Sequence, residues 1–236
     1  YNIAYKILLT PIKMIVKQVD TITFPVLSNF NNNFDKIKVY YLQNLKIIIQ
    51  TISPIAITLI FFSNIIVELF FDSSYNKLAT IISLLSICTI FQSATSLVGN
   101  MYIIANKTKV MFQVSFFLSL ISLVLLLIGA NTYVLEYFVI SYIVSYICFN
   151  FPISNHFALK DFKISIFDIL SIMVIPTTVS LGFCFSIYIY DYVFHLNFFT
   201  KVLLISINLI LSYLLVHEEF RNLLGLKKNV WHSRNI

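Results

Sequence analysis

Long apolar stretches separated by short charged connections make up most of the sequence. Seven of these stretches reach the roughly 18 residues needed to cross a bilayer as a helix. They cover residues 3–28, 45–70, 78–105, 110–129, 134–158, 167–190 and 198–216. Runs such as FLSLISLVLLLIG do not alternate apolar and polar positions, as the strands of a membrane barrel do. The pattern predicts an all-α polytopic membrane protein with about seven transmembrane helices.

Composition excludes a soluble domain. Hydrophobic residues make up 59% of the chain and charged residues 11%, whereas soluble domains carry about 25% charged residues. The net charge is +6, but the positive residues lie mainly in the connections between apolar stretches. We therefore interpret them as determinants of membrane orientation, expect membrane lipids as partners, and expect no nucleic-acid partner.

The distribution of basic residues between alternate connections orients the chain. One set faces the cytoplasm by the positive-inside rule, and it consists of loops 29–44, 106–109 and 159–166 and the C-terminal tail. Its basic residues are Lys36, Lys38, Lys46, Lys107, Lys109, Lys160, Lys163, Arg221, Lys227, Lys228 and Arg234. The opposite set holds only Lys77 and Lys201. The basic tail fits either this topological role or a lipid-headgroup anchor.

The first apolar stretch carries a polar stripe. At about 100° per residue, its members fall within an arc of roughly 80°: Asn2, Lys6, Thr10, Lys13, Lys17 and Asp20. A charge facing lipid at the bilayer centre costs at least about 2.5–3.5 kcal/mol. Lys6 can extend to the outer interface, and Lys17 is spaced to pair with Asp20. Lys13 can neither reach the interface nor pair with a nearby carboxylate of the same helix. The stripe therefore faces a hydrated cavity or is neutralised by other helices.

Two further polar side chains are candidate cavity residues. Gln92 and Asn100 lie in the third apolar stretch among small and hydroxyl-bearing residues. Such residues serve helix packing or substrate contact equally well. Asp20 is the candidate for ion coupling, because it lies deeper in the membrane than Glu68 or Glu136.

No motif of an enzyme accompanies these features. The sequence has no P-loop, dinucleotide-binding glycine motif, HExxH or nucleophile motif. Cys88, Cys148 and Cys184 lie in apolar stretches without metal-ligand spacing. We therefore expect no enzymatic activity, cofactor, metal or disulfide.

Three segments resemble the C-terminal half of Wzx-type polysaccharide flippases, which belong to the multidrug/oligosaccharidyl-lipid/polysaccharide exporter superfamily. YNIAYKILLTPIKMIV leading to ITFPVLSNF is similar to the helix that opens that half, through Tyr1, Ala4, Lys6, Phe24, Pro25, Leu27 and Ser28. IIVELFFDSSYNKLATIISLLSI resembles the next connection, with Asp72 where the family has glycine. FQSATSLVGNMYIIANKTK resembles the following helix. The resemblance covers about residues 1–110.

The resemblance implies a two-lobed transporter in the bacterial inner membrane with a cytoplasmic C-terminus. Residues 1–159 would form the core helices of the C-terminal lobe, and residues 160–236 two more transmembrane helices and the basic tail. Since Tyr1 lies within the apolar pattern, we expect the N-terminal lobe to precede it in a longer protein. The implied substrate is an oligosaccharide joined through pyrophosphate to a polyprenol, which would give the lysines an anionic partner.

Three alternative functions remain at this point. A cation-coupled multidrug exporter of the same superfamily would favour carboxylates over lysines in its cavity. A lipid II flippase is a related possibility. A membrane glycan polymerase would need a large external loop with catalytic residues, and the external connections predicted here are short.

Overall fold

The computed structural model describes residues 2–30, 33–70, 76–194, 200–201, 203–207 and 210. The side chains of 2–9, 11–12, 70, 76 and 192–194 lie outside this description. All regular elements of the described chain are helical. The α-helices are α1 (Asn2–Ser28), α2 (Phe34–Phe70), α3 (Asn76–Ala94), α4 (Val98–Ile104), α5 (Thr108–Ala130), α6 (Leu135–Ser145), α7 (Phe151–Leu159) and α8 (Ile166–Phe194).

Five described segments are long and apolar enough to cross a membrane, which confirms five of the predicted spans. They are Phe34–Leu69, Lys77–Ile104, Thr108–Ala130, Leu135–Phe162 and Ile166–Asp191. The first predicted span corresponds to α1, a helix of 27 residues. It is not among these five segments, so its crossing of the membrane stays a prediction. Most of the seventh span, at 198–216, lies outside the described residues. The chain is thus an all-α polytopic membrane protein.

The predicted loop 29–44 is wrong in its second part. Helix α2 begins at Phe34, so only residues 29–33 connect it to α1. The reason is a buried stripe at helical spacing, since Ile37, Tyr41 and Leu45 are each at most 2% exposed. Packing of this stripe against the neighbouring helices outweighs the polarity of the intervening lysines.

Helix α2 lies at the centre of the bundle. It packs against α1, α3 and α8, and most of its apolar residues are buried. Helix α5, by contrast, packs on α6 and leaves large side chains such as Phe112, Phe116 and Leu127 exposed. An apolar face of this size on a membrane helix suits contact with lipid tails.

Two ion pairs lie at one end of the bundle, beside the connections between helices. We call this end the basic end; it holds residues 29–33, 105–107 and 160–165. Lys38 Nζ donates to Asp168 Oδ2 and to the Lys163 carbonyl, both at 2.9 Å. Lys107 pairs with Asp161 at 2.5 Å. Because all four side chains are about one-third exposed, these pairs orient the connections more than they stabilise the fold.

Candidate functional site

Helix α1 has one packed face and one exposed face. Val19, Thr23 and Leu27 are buried at four-residue spacing, and Ile15 packs beside them. Thr10, Lys13, Met14, Lys17, Gln18, Thr21 and Pro25 are exposed. The apolar side of α1 therefore faces the core, and most of the described members of the predicted polar stripe face outward.

Lys13 and Lys17 lie on this exposed face, which we call the lysine face. Lys13 is close to the midpoint of α1. In the part of the chain that the structure describes, neither ammonium group takes part in an ion pair. The third predicted lysine, Lys6, has a side chain outside the described residues. The lysine face thus presents at least two positive charges near the middle of α1 that no ion pair of the described residues compensates.

Asp20 lies at the edge of the lysine face and contacts α4. Its Oδ1 accepts a hydrogen bond from Asn100 Nδ2, and both residues are half-buried. The spacing of Lys17 and Asp20 allowed a pair along α1, but the described residues contain no such ion pair. The carboxylate instead joins α1 to α4, which brings two predicted site residues, Asp20 and Asn100, together.

Gln92 contacts α6. Its Nε2 donates to the Tyr142 hydroxyl at 2.9 Å. One turn further along α3–α4, the Thr95 hydroxyl bonds the Tyr146 hydroxyl. Both predicted polar candidates of this stretch, Gln92 and Asn100, therefore make contacts between helices.

A second polar network connects α5 to the same region. Asn150 Nδ2 donates to Ser122 Oγ at 3.1 Å, and the Ser122 and Ser145 hydroxyls are 2.6 Å apart. Sequence analysis did not select Ser122, Tyr142 or Tyr146. The spacing of these residues along their helices did not predict the contacts between them. Isolated hydroxyls are common on apolar helices, and their partners are set by tertiary packing.

The described residues contain no group of three or more His, Cys, Asp and Glu side chains that could hold a metal ion. The positive charge on α1 and the amide and hydroxyl groups around α3 and α6 can attract an anion and donate hydrogen bonds to it. They supply no nucleophile with an adjacent base.

The five helical segments long and apolar enough to cross a membrane define a polytopic α-helical membrane protein. Residues 1–80 match the model of a family described as polysaccharide biosynthesis protein. This match confirms the resemblance to a polysaccharide flippase-type family over that part of the chain, and it indicates a role in polysaccharide synthesis or export. No curated protein and no solved structure matches the chain.

Proposed function

We propose that this chain is part of a flippase that moves polyprenyl-pyrophosphate-linked oligosaccharide units across the bacterial cytoplasmic membrane for the synthesis of surface polysaccharide such as O-antigen or capsule. The observation that carries this proposal is the lysine face. A membrane helix that exposes Lys13 and Lys17 near its middle is costly beside lipid and favourable beside a hydrated passage for anions.

The charge of the substrate fits that face. A pyrophosphate linkage and acidic sugars are anionic, and an ammonium group attracts an anion most strongly where the surroundings have a low dielectric constant. The glycan and linkage would pass along the lysine face, while the polyprenol remains among the lipids beside α5. The opposite wall of the passage would come from the N-terminal lobe of the same protein.

Asp20 is proposed as the ion-coupling group. Its contact with Asn100 joins α1 to the short helix α4, so a change in the charge of the carboxylate would alter the position of one helix relative to the other. A carboxylate half-buried inside a membrane helix is uncommon without such a role.

Depletion of the full-length protein tests the function. In cells that lack it, lipid-linked repeat units should accumulate on the cytoplasmic leaflet and surface polysaccharide should be lost. The location of these units can be measured with a lectin or glycosidase added outside spheroplasts. Re-expression should restore the polysaccharide.

Other outcomes would identify the alternatives and contradict the proposal. Unpolymerised repeat units on the outer leaflet would indicate a glycan polymerase. Accumulated cell-wall precursor with intact surface polysaccharide would indicate a lipid II flippase. Normal polysaccharide with increased drug sensitivity would indicate a multidrug exporter.

A further inference from the structure

Beyond its lysines, the exposed side of α1 continues toward the basic end with uncharged polar side chains that were not part of the predicted stripe. Gln18, Thr21 and Ser28 are exposed and fall within an arc of roughly 80° at about 100° per residue. Asn29, the first residue after the helix, is exposed as well. We call these four residues, together with the exposed Pro25, the acceptor surface.

Side chains of the acceptor surface use their hydrogens to bond the α1 backbone. The Thr21 hydroxyl donates to the Lys17 carbonyl at 2.7 Å. The Ser28 hydroxyl and the Asn29 amide both donate to the Pro25 carbonyl, at 3.0 and 2.7 Å. Because a hydroxyl has a single hydrogen, the Thr21 and Ser28 hydroxyls can only accept a hydrogen bond from a further partner.

Pro25 adds a backbone acceptor to this surface. In a regular helix the Thr21 carbonyl would accept from the N–H of residue 25, but proline has no N–H. Thr21 and Pro25 are both exposed. The carbonyl that lacks its helical donor is therefore on the outward side of α1.

Gln18 supplies both donors and an acceptor. Within the described part of the chain its amide has no hydrogen-bond partner. An amide that moves from water to hydrocarbon without a hydrogen bond costs about 4–8 kcal/mol. In the membrane-spanning position predicted for α1, Gln18 therefore favours a polar occupant on this side of the helix, as the lysines do.

The lysines and the acceptor surface suit different parts of one ligand. An ammonium group only donates hydrogen bonds, and it attracts phosphate oxygens, which accept them. The oxygens of the acceptor surface repel such an anion but accept from neutral hydroxyl groups. Sugar hydroxyls both donate and accept, so they also suit the Gln18 amide.

The order of these groups along α1 matches the order of groups in a lipid-linked sugar. Lys13 and Lys17 come before the acceptor surface, and Thr21 lies about 6 Å beyond Lys17 along the helix axis. This distance is comparable to the size of one sugar ring. A pyrophosphate at the lysines would therefore place the sugar attached to it beside Gln18 and Thr21.

We propose that the acceptor surface is a sugar-binding subsite, in which Gln18 and the Thr21 hydroxyl and carbonyl oxygens bond hydroxyl groups of the glycan next to its pyrophosphate. This inference rests on the proposed function and adds to it that binding depends on the sugar as well as on the charge. A ligand recognised only by its charge would leave these acceptors unused.

Binding of two lipids to the purified full-length protein in nanodiscs tests the subsite. One is the pyrophosphate-linked glycolipid extracted from cells depleted of the protein, and the other is polyprenyl pyrophosphate of the same chain length without sugar. Gln18→Leu removes the amide at similar size, and Pro25→Ala gives the Thr21 carbonyl an N–H donor. Each variant should weaken glycolipid binding by about two- to tenfold, the range for one hydrogen bond, and leave binding of the sugar-free lipid unchanged.

Matched controls make the same substitutions on other helices. Gln113→Leu is at an exposed position of α5, and Pro176→Ala is within α8. Neither control should change the binding of either lipid. Lys13→Glu should weaken the binding of both lipids, because both carry the pyrophosphate.

Three results would overturn the sugar subsite while leaving anion binding intact. They are equal affinity of the unmodified protein for the two lipids, an equal loss for both lipids in Gln18→Leu and Pro25→Ala, and unchanged glycolipid binding in both variants. Failure of the flippase proposal is a different result, in which the unmodified protein binds neither lipid.

Discussion

Lys13 carries the strongest functional signal of any single residue in this chain. It is exposed near the midpoint of α1, and no ion pair in the described part of the chain compensates its charge. A cost of at least about 2.5–3.5 kcal/mol for a lipid-facing lysine is a large fraction of the 5–15 kcal/mol that typically stabilises a folded protein. A hydrated passage reduces that cost, and the same charge then becomes available to a substrate.

A charge series at Lys13 in the full-length protein tests this role. Lys13→Arg should retain most polysaccharide export, since the positive charge survives. Lys13→Ala should reduce export, and Lys13→Glu should reduce it most, because a carboxylate repels an anionic substrate. Protein abundance should stay near normal in all three. The measurements are surface polysaccharide and membrane protein level in the same cells.

The control for this series is Lys36→Glu, which reverses the charge of an exposed lysine in the first turn of α2. It should leave export close to that of the unmodified protein. A loss of abundance in Lys13→Ala would instead indicate that Lys13 neutralises a packing network, and normal export by Lys13→Glu at normal abundance would exclude a place for it in the passage.

At the level of elements, the start of α8 shows how local sequence fixes a helix end. Ser165 Oγ accepts from the Asp168 N–H at 3.1 Å, and Asp168 Oδ2 accepts from the Ser165 N–H at 3.0 Å. This reciprocal capping box satisfies two backbone donors that the first turn leaves without helical partners. Asp168 also pairs with Lys38, so the cap of α8 is joined to α2.

Loss of this cap should be measurable as a change in thermal stability. Ser165→Ala should destabilise the protein by about 1 kcal/mol, which corresponds to roughly 2–4 °C in Tm for a chain of this size. Ser171→Ala is the matched control, because that exposed hydroxyl only bonds the Asp168 carbonyl within the helix. Thermal unfolding of the purified protein in detergent should give a lower Tm for Ser165→Ala than for Ser171→Ala. Identical Tm values would contradict a stabilising role of the cap.

Helix positions were predictable from sequence, whereas their interruptions were not. Apolar length alone located the spans that correspond to α2, α3–α4, α5, α6–α7 and α8, since a bilayer imposes that length. The third span contained the serines and threonine that break it, but an apolar average cannot distinguish a continuous helix from α3 and α4. The π-helical turn before Pro152 depends on backbone geometry and on Asn150.

For the candidate site, the shared face of the lysines could be predicted from the sequence, but the contacts between helices could not. The periodicity of α1 predicted a shared face for Lys13 and Lys17, and the structure exposes both. The contact of Asp20 with Asn100 could not be derived, because it joins helices distant in sequence. The roles of these residues in transport stay predictions, as does the division of the chain at residue 159.

At the scale of the whole molecule, the connections with paired lysines lie at one end of a helical bundle. Lys38 and Lys107 anchor that basic end through Asp168 and Asp161. From the positive-inside rule we predict that this end faces the cytoplasm.

Cysteine accessibility in the full-length, cysteine-free protein tests this orientation. Asn33→Cys and Ser165→Cys lie at exposed positions of the basic end and should resist an impermeant thiol reagent in intact cells. Tyr133→Cys lies in the connection between α5 and α6, where Tyr133 is 94% exposed, and it should be labelled. The reverse labelling pattern would invert the orientation.

The central claim is that the lysine face guides an anionic, lipid-linked glycan across the membrane. Its most direct test is flipping by the purified full-length protein in vesicles, measured with two glycolipids of the same glycan and polyprenol, one with a pyrophosphate linkage and one with an uncharged linkage. The account predicts rapid flipping of the pyrophosphate form, slow flipping of the uncharged form, and loss of this preference in Lys13→Glu. Equal rates for both glycolipids, or an unchanged preference in Lys13→Glu, would contradict it.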